Sequence, residues 1–490
     1  MEKNSRYGIT GPLSLQESTL KEKQCSEEMD KFIQDCGFFE DESEGQTRER
    51  VLGKLNSLLK QFVQKTSENK NIYLNDKNNN NGKIFTFGSY RLGVHSKGAD
   101  IDVLCVVPKH ITRKDFFTDF FELLSQDSDV KEITKIEEAY VPLIKLIIQG
   151  IPIDLTFARL NIGIVNDNVN LLNNTYLKNM DDKCVLSING SRVTDEILNL
   201  IPNVKTFHSA LRCIKYWAKR RCIYGNSYGY YGGVAFSISV GRICQLFPNA
   251  SSYTIVSKFF ELYSFWKWPS PVLLKPVIDL SYNMKVWDPK LYPADKYHKM
   301  PVITPAYPSI CSTHNIIAST QQLIINEFTR GHEIFCNEKG TTKDILKKLC
   351  SLSDFFYKYK SYIQINAISQ DETNHKLWLG FVESKIRILA LKIESLDDVL
   401  YAVPFPRSFN ITKEKLSFFT FKTKHIKICT SFFIGLECPS TKAKKVFIDH
   451  PIKEFIEFIN NYDKKDENMK LEINSMKKRD VHAFFSVIYK

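Results

Sequence analysis

FGSYRLGVHSKGADID, residues 87–102, is the stretch of this 490-residue chain that decides its fold. Its end opens an apolar run, DIDVLCVVP at 100–108, whose composition predicts a buried strand. Because side chains alternate along a strand, Asp100 and Asp102 are expected on the same face, with Cα atoms roughly 6.5 Å apart. Two carboxylates placed in this way can converge on one or two hard cations.

A third carboxylate, Asp154, lies in the middle of the apolar run IPIDLTF at 151–157. A lone aspartate in a buried strand is costly unless it is paired or binds a metal ion. The plain alternative for Asp154 is a salt-bridged aspartate of the core. The two carboxylates at 100 and 102 favour the metal-binding interpretation.

The Gly88-Ser89 pair predicts a turn that offers backbone N–H groups and a hydroxyl with little bulk, which suits a phosphate group. Three aspartates on neighbouring strands can hold two cations about 3.5–4 Å apart, the arrangement used for in-line displacement at phosphorus. Mg²⁺ prefers such carboxylate oxygens together with phosphate oxygens and water. A D-x-D pair alone is weak evidence, since it also occurs in glycosyltransferases and in surface loops. The whole set predicts metal-dependent nucleotidyl transfer with Asp100, Asp102 and Asp154 as ligands.

The pattern along the chain predicts several domains, as its length also suggests. A helix is expected over 47–65 and strands over 84–87 and 100–108, followed by a hairpin in KLIIQGIPIDLTFA that turns at Gln149-Gly150. From about residue 204 to 360 the pattern is helical. The last part is expected to be an α+β domain, with strands at 385–393, 425–437 and 446–450 and a helix at 452–462.

Composition points toward a polyanionic partner. The formal net charge is +12 and the sequence pI about 8.9. Lysines alternate with aromatic residues over 411–445, which is typical of a solvated strand face or, more specifically, of a basic RNA-binding sheet. The 12 cysteines show no zinc spacing and are expected to be free thiols. We find no apolar run of membrane-spanning length and no secretory leader, so a soluble intracellular protein is expected.

At this point the residues resemble the polymerase β-like nucleotidyltransferase superfamily and, more narrowly, the eukaryotic nuclear-type poly(A) polymerases. The resemblance runs over most of the chain in ordered blocks. They include YGITGPLS (7–14), FGSYRLGVHSKGADIDVLCV (87–106), VPLIKLIIQGIPIDLTFA (141–158), INGSRVTDEIL (188–198), FHSALRCIKYWAKRR (207–221), IYGNSYGYYGGVAFSISVGRICQLFPNA (223–250), MPVITPAYPSICSTHNI (300–316) and SFFIGLE (431–437). A bare D-x-D match would not separate this family from CCA-adding enzymes or oligoadenylate synthetases.

The resemblance implies an α+β multidomain protein. Its parts would be an N-terminal arm (1–18) packing with the middle domain, a polymerase β-like α/β catalytic domain (19–203), a helical middle domain (204–354) and an RRM-like RNA-binding domain (355–490). It implies two Mg²⁺ or Mn²⁺ ions and addition of AMP from ATP to an RNA 3′ end. It also implies a nuclear monomer that works with mRNA cleavage and polyadenylation factors. Control through a long Ser/Thr-rich tail is not expected.

The resemblance further assigns roles to individual side chains. The metal ligands would again be the three aspartates, while the nucleotide side would be lined by Phe87, Gly88, Ser89, Asn189, Lys215, Tyr224, Asn226, Gly233, Val234 and Thr304. Of these, Ser89, Lys215 and Tyr224 are expected on the phosphates, Asn189 near the ribose, and Gly233 and Val234 against adenine. Tyr140 and Lys145 are expected at the primer, as Asn226 also could be. Two positions depart from the family, which usually has Phe at 140 and Pro at 231, where this chain has tyrosines.

Two other hypotheses remain open from the sequence. The chain could be an inactive RNA-binding subunit of a processing complex, although a pseudoenzyme usually loses at least one of the three carboxylates. It could instead be a terminal transferase with another nucleotide preference, such as UTP.

Overall fold

A computed structural model describes residues 8–40, 42–72, 81–416, 421, 427–439 and 446–488. It contains two five-stranded sheets joined by a helical region. Within those residues, no helix is long and apolar enough to cross a membrane. The sheets and the helices between them agree with the predicted α+β architecture.

The N-terminal part builds the first sheet, in the order β1-β2-β5-β4-β3. Its elements are α1 (Leu20–Asp35), α2 (Glu42–Asn69), β1 (Lys83–Phe87), α3 (Gly88–Arg91), β2 (Ile101–Val107), α4 (Arg113–Asp115), a π turn (Phe116–Phe120), α5 (Phe121–Ser125), β3 (Val130–Ile136), β4 (Leu143–Ile148), β5 (Ile151–Arg159), a 3₁₀ turn (Asn174–Leu177) and α6 (Asp182–Asn199). Strand β2 is antiparallel to β1 and parallel to β5. The predicted hairpin is confirmed: β4 and β5 pair around Gln149 and Gly150, both of which have positive φ.

Helix α2 covers this sheet with the apolar stripe predicted for it. The side chains of Val51, Leu55, Leu58, Leu59 and Phe62 are all buried in the hydrophobic core beside this sheet. The helix is longer than the predicted 47–65, since it continues to Asn69.

The middle region is helical, as predicted. Its elements are α7 (Val204–Arg220), a 3₁₀ turn (Asn226–Tyr228), α8 (Gly233–Leu246), α9 (Ser252–Ser264), α10 (Pro293–Lys296), α11 (Ala318–Asn337) and α12 (Thr342–Leu349). Helix α1 contacts α7, α9 and α12, so Met29 and Ile33 lie in the core of this region. The arm before α1 also lies here, where the N–H groups of Leu13 and Ser14 donate to the carbonyl of Leu246. The domain limits at 18, 203 and 354 stay predictions.

The C-terminal part forms the second sheet, in the order β10-β6-β9-β7 with β8 beside β9. Its elements are α13 (Phe355–Lys358), β6 (Ser361–Ser369), α14 (Glu372–Glu394), β7 (Tyr401–Pro404), β8 (Phe409–Ile411), α15 (Lys413–Leu416), β9 (Ile428–Glu437), α16 (Asp449–Asn460), β10 (Lys470–Lys477) and α17 (Lys478–Ile488). The strand predicted in 425–437 and the helix predicted at 452–462 are confirmed.

Two predicted strands in this part are wrong. The run 385–393 lies inside α14, because Ile386, Leu389, Ala390 and Ile393 recur at helical spacing and are buried on one face. The run 446–450 forms no strand, since α16 begins at Asp449. Short apolar runs fit both periods, and here the length of the amphipathic pattern should have favoured the helix.

The aromatic residues of β9 cannot serve as an exposed RNA platform. Phe432 and Phe433 are both 0% exposed and pack on opposite faces of the sheet. The prediction of a basic, aromatic sheet face is therefore wrong for these two side chains. Several of its other members lie outside the described residues, namely Phe418, Phe419, Lys422, Lys424, Lys442, Lys444 and Lys445.

The middle and C-terminal regions share one continuous hydrophobic core, whereas the first sheet has a separate one. A polar contact reinforces the shared core. The carboxylate of Glu394, at the end of α14, accepts the N–H groups of Ala318 at 3.3 Å and Ser319 at 2.9 Å, at the start of α11. The Ser319 hydroxyl donates to the same carboxylate and accepts the N–H of Ala402. Glu394 therefore acts as an N-terminal cap supplied by another domain.

We expect Glu394→Ala to lower the free energy of local opening at the start of α11 by about 1–2 kcal/mol, because a charged acceptor for two helix N–H groups is lost. Hydrogen exchange of residues 318–322 measures this. Glu333→Ala, on the exposed side of the same helix, should leave that exchange unchanged. Equal protection in the two variants would contradict the capping role.

Candidate active site

The three predicted carboxylates lie together at one edge of the first sheet. Asp102 and Asp154 are direct partners in the parallel β2–β5 pairing, and Asp100 lies just before the first residue of β2. One carboxylate oxygen from each of the three lies within 4.8 Å of the others. The cluster consists only of oxygen ligands with negative charge, so it fits a hard divalent cation.

The electrostatics of this cluster are unfavourable without a cation. Burial, and then the neighbouring Asp100 and Asp154, raise the pKa of Asp102 to about 7. Lys145, the cross-strand neighbour of Asp154, donates to that carboxylate at 2.7 Å. A single half-exposed lysine is thus the direct ion-pair partner of the triad among the described residues.

The Gly88-Ser89 turn lies against the triad. Gly88 has φ +64°, and a Cβ atom built on it would lie 2.3 Å from Oδ2 of Asp102. Its N–H donates to the hydroxyl of Thr194 on α6 at 3.2 Å, which holds the turn to the catalytic domain. Both the backbone conformation and the space beside Asp102 therefore require glycine at position 88.

A pocket of about 400 Å³ opens between the triad and the middle domain. Its volume lies in the range of small-molecule sites. It is lined by Gly88, Ser89, Leu92, Val94, Ser96, Ala99, Asp100, Asp102, Leu211, Lys215, Lys219, Tyr224, Gly233, Val234, Phe236 and Ser237. The structure thus brings Lys215, Tyr224, Gly233 and Val234, which are distant in sequence, to the opposite wall from the aspartates.

The cationic wall of the pocket belongs to α7. The Nζ of Lys215, which is 6% exposed, donates to the carbonyl of Val94 at 3.0 Å. Burial, and then the nearby Lys219, lower the pKa of Lys215 to about 8. Lys219 donates to the hydroxyl of Ser96 at 3.4 Å. Arg212, on the same helix face, donates to the carbonyl of Gly93 and so holds the loop of the catalytic domain.

The flat wall is formed by Tyr224 and the start of α8. The ring of Tyr224 is stacked on Phe236, with centroids 5.9 Å apart and planes 7° apart. Burial raises the pKa of Tyr224 to about 12, so its hydroxyl stays protonated near neutral pH. That hydroxyl lies 3.1 Å from where a Cβ of Gly233 would be, which leaves little space for a side chain there.

Seven predicted residues do not line this pocket, and two of them are Asp154 and Lys145, which pair with each other. Phe87 packs on Gly190 of α6. Thr304 holds its own loop, since its hydroxyl accepts the N–H of Ile310 and its own N–H donates to the Ile310 carbonyl. Tyr140 is 81% exposed and lines a separate cleft of about 730 Å³. The other two, Asn189 and Asn226, have a buried side-chain oxygen with no hydrogen-bond partner in the described part of the chain.

Sequence reasoning missed several lining residues. Phe236 and Ser237 follow Gly233 by three and four residues, so helical spacing could have identified them. Ser96, which lines the pocket, and Thr194, which binds the Gly88 N–H, carry no such signal, because their roles arise from contacts between distant segments.

The sheet, the carboxylates on its parallel strands and the Gly-Ser turn define a nucleotidyltransferase of the polymerase β-like class. Comparison with family models is consistent with this. Residues 8–201 match the poly(A) polymerase nucleotidyltransferase domain, 206–358 the poly(A) polymerase central domain, and 354–418 and 413–487 the poly(A) polymerase predicted RNA binding domain. The chain belongs to the poly(A) polymerase family.

Two sequence relatives support this placement. Poly(A) polymerase PAPa of Candida albicans is 48% identical over 407 residues, which cover 83% of this chain and 73% of that protein. The poly(A) polymerase of Dictyostelium discoideum is 40% identical over 486 residues, covering 97% of this chain and 59% of that protein. A solved structure of Cid1 in complex with its short product ApU covers 68% of this chain and 100% of its own, with 14% identity and a TM-score of 0.46.

We expect Gly88→Ala to reduce catalysis strongly, because the added methyl group would displace the Asp102 carboxylate and strain the backbone. Primer extension measures the loss, which should reach about 100-fold. Gly150→Ala is the matched control, since Gly150 has φ +81° but open space around its Cα. That variant should lose some stability and keep its activity; similar losses in both variants would contradict the steric explanation.

Proposed function

We propose that the chain is an active, template-independent poly(A) polymerase, which transfers AMP from ATP to the 3′ hydroxyl of RNA and releases pyrophosphate. The observation that carries this proposal is the complete carboxylate triad, two of whose members, Asp100 and Asp102, line one pocket together with Lys215 and Lys219. An inactive subunit would have no need to keep three mutually repelling carboxylates together. The named relatives are poly(A) polymerases, which favours ATP over other nucleotides.

The chemistry needs groups of both charges. Two divalent ions, Mg²⁺ or Mn²⁺, held by Asp100, Asp102 and Asp154 would activate the attacking hydroxyl and neutralise charge on the leaving group. Lys215 and Lys219 would bind the triphosphate and offset the negative charge that develops on pyrophosphate. The protonated hydroxyl of Tyr224 can donate a hydrogen bond to a phosphate oxygen.

The base and the primer would occupy the rest of the cleft. Adenine would lie on Gly233 and Val234, at the start of α8, where the absence of a side chain at Gly233 permits close approach and Val234 offers an apolar surface. Asn189 and Asn226 do not line the pocket, but each has an unpartnered amide oxygen that would serve as an acceptor for ribose or base. Lys145 is half exposed beside Asp154 and could contact the last phosphate of the primer, with Tyr140 further out. We further propose nuclear action with cleavage and polyadenylation factors.

The first test replaces one ligand. Asp154→Asn should reduce AMP incorporation into an oligo(A) primer by roughly 10³-fold while primer binding persists, because only cation binding is impaired. Asp119→Asn, an exposed aspartate of the same domain, should behave like the wild type. Robust extension by Asp154→Asn would contradict the catalytic assignment. The wild type should be assayed with ATP and UTP separately: preference for UTP, or binding without incorporation, would favour the alternatives.

A second test uses the lowered pKa of Lys215. Its amine loses its charge as the pH rises through about 8, so nucleotide binding above that pH must take up a proton. We expect the KM for ATP to rise about tenfold per pH unit above 8.5. Asp102, with a pKa of about 7, is already ionised in this range.

The controls for this pH effect are both on α7. Lys215→Arg should weaken the rise in KM up to pH 9.5, because a guanidinium stays protonated there, and the rise that remains would come from Lys219, whose pKa burial also lowers. Lys205→Arg, at an exposed position, should keep the wild-type profile. A profile that is the same for all three proteins would show that another group titrates.

A further inference from the structure

We propose that the buried pair Glu40–Arg48 positions Asp100, and with it the metal-binding geometry of the triad, although neither side chain reaches the reacting atoms. This rests on the proposed role of Asp100 as a metal ligand. Asp100 precedes β2 and so lacks the strand pairing that fixes Asp102 and Asp154. Its position must therefore be set by the loop 93–99 that leads to it.

The pair is held as a buried unit. Arg48 is 2% exposed, and the side chain of Glu40 is 7% exposed. The Nε of Arg48 donates to the Glu40 carboxylate at 2.7 Å, and its second terminal nitrogen donates to the other carboxylate oxygen. This two-point contact restricts the orientation of both planar groups.

Both members of the pair also bind the loop before Asp100. Arg48 donates to the carbonyl of Ala99, the residue next to Asp100, at 2.7 Å. The Glu40 carboxylate accepts the N–H of Gly98 at 3.3 Å and contacts the ring nitrogen of His95 at 3.2 Å. Burial, partly offset by the charge of Glu40, lowers the pKa of His95, so the ring acts as a neutral N–H donor to the carboxylate near neutral pH.

The same cluster extends to the Gly88-Ser89 turn. The Arg48 guanidinium lies 6.0 Å from the ring centroid of Tyr90, which directly follows Ser89. The rings of Tyr90 and His95 are 5.2 Å apart. The pair therefore connects both ends of the segment 90–99, one end at the phosphate-side turn and the other at Asp100.

If the Glu40–Arg48 pair only stabilised the fold, its loss would lower stability without a specific effect on cation binding. Loss of any buried ion pair leaves an unpaired charge and costs stability wherever it lies. The middle domain has a matched pair for comparison: Arg221 donates to Glu327 at 3.0 Å and 2.8 Å, with side chains 8% and 7% exposed. Its contacts lie with residues 351–352 and Arg330, away from the triad. Of these two ion pairs, Glu40–Arg48 should influence cation binding and Arg221–Glu327 should not.

The experiment compares Glu40→Gln with Glu327→Gln in the full-length chain, below the unfolding temperature of both. The Mn²⁺ concentration that gives half-maximal primer extension should rise about tenfold or more for Glu40→Gln, as is usual when an outer contact of a metal ligand is removed. It should stay within about twofold of the wild type for Glu327→Gln. Arg48→Lys keeps the charge but not the two-point contact. Its half-maximal Mn²⁺ concentration should lie between that of the wild type and that of Arg48→Met.

Two readouts do not depend on turnover. Electron paramagnetic resonance of free Mn²⁺, with a non-hydrolysable ATP analogue, should show the same weakening for Glu40→Gln. Hydrogen exchange of residues 92–101 should speed up in Glu40→Gln and not in Glu327→Gln. Equal Mn²⁺ affinity in the two variants, or equal exchange in this segment, would overturn the inference. If the wild type itself fails to extend the primer, the proposed function fails instead.

Discussion

The carboxylates of Asp100, Asp102 and Asp154 repel one another, because the β2–β5 register and the loop before β2 place their oxygens within 4.8 Å. The register of the parallel β2–β5 pairing alone places Asp102 beside Asp154. Burial, and then the charges of Asp100 and Asp154, raise the pKa of Asp102, so the ionised form of this buried cluster is unfavourable. Such a cluster is stable only if contacts of the surrounding residues fix the positions of the three aspartates. The hydrogen bonds around the triad have this effect.

Two parts of the chain, the middle domain and the N-terminal segment, form hydrogen bonds with the loop 93–99. From the middle domain, Arg212 and Lys215 donate to the carbonyls of Gly93 and Val94. From the N-terminal segment, the carbonyl of Phe38 accepts the N–H of Lys97, close to the Glu40–Arg48 pair. The loop thus lies at the junction between two separately packed cores, so the position of Asp100 depends on contacts with both sides.

Residues whose positions depend on a local sequence pattern could be predicted, whereas residues whose positions depend on contacts between distant segments could not. Asp102 and Asp154 were predictable because each occupies a strand whose apolar pattern is local, and polar residues in such strands need a reason. Lys215 and Gly233 entered through the family resemblance, and the structure places them at the pocket. Thr304 was expected near the nucleotide but instead bonds to Ile310, a contact six residues away in an irregular loop. The strand predicted at 385–393 was wrong because an apolar run of nine residues fits either period, and only the longer amphipathic pattern over Glu372–Glu394 indicates the helix.

The pocket keeps opposite charges apart instead of pairing them. A direct ion pair between Lys215 and Asp102 would raise the pKa of the lysine and lower that of the aspartate. The shifts have the opposite signs, so burial outweighs the attraction between the two groups. Lys215 and Lys219 donate instead to the neutral oxygens of Val94 and Ser96. Each wall therefore retains an uncompensated charge, and this arrangement favours binding a cation and a polyanion together over binding either one alone.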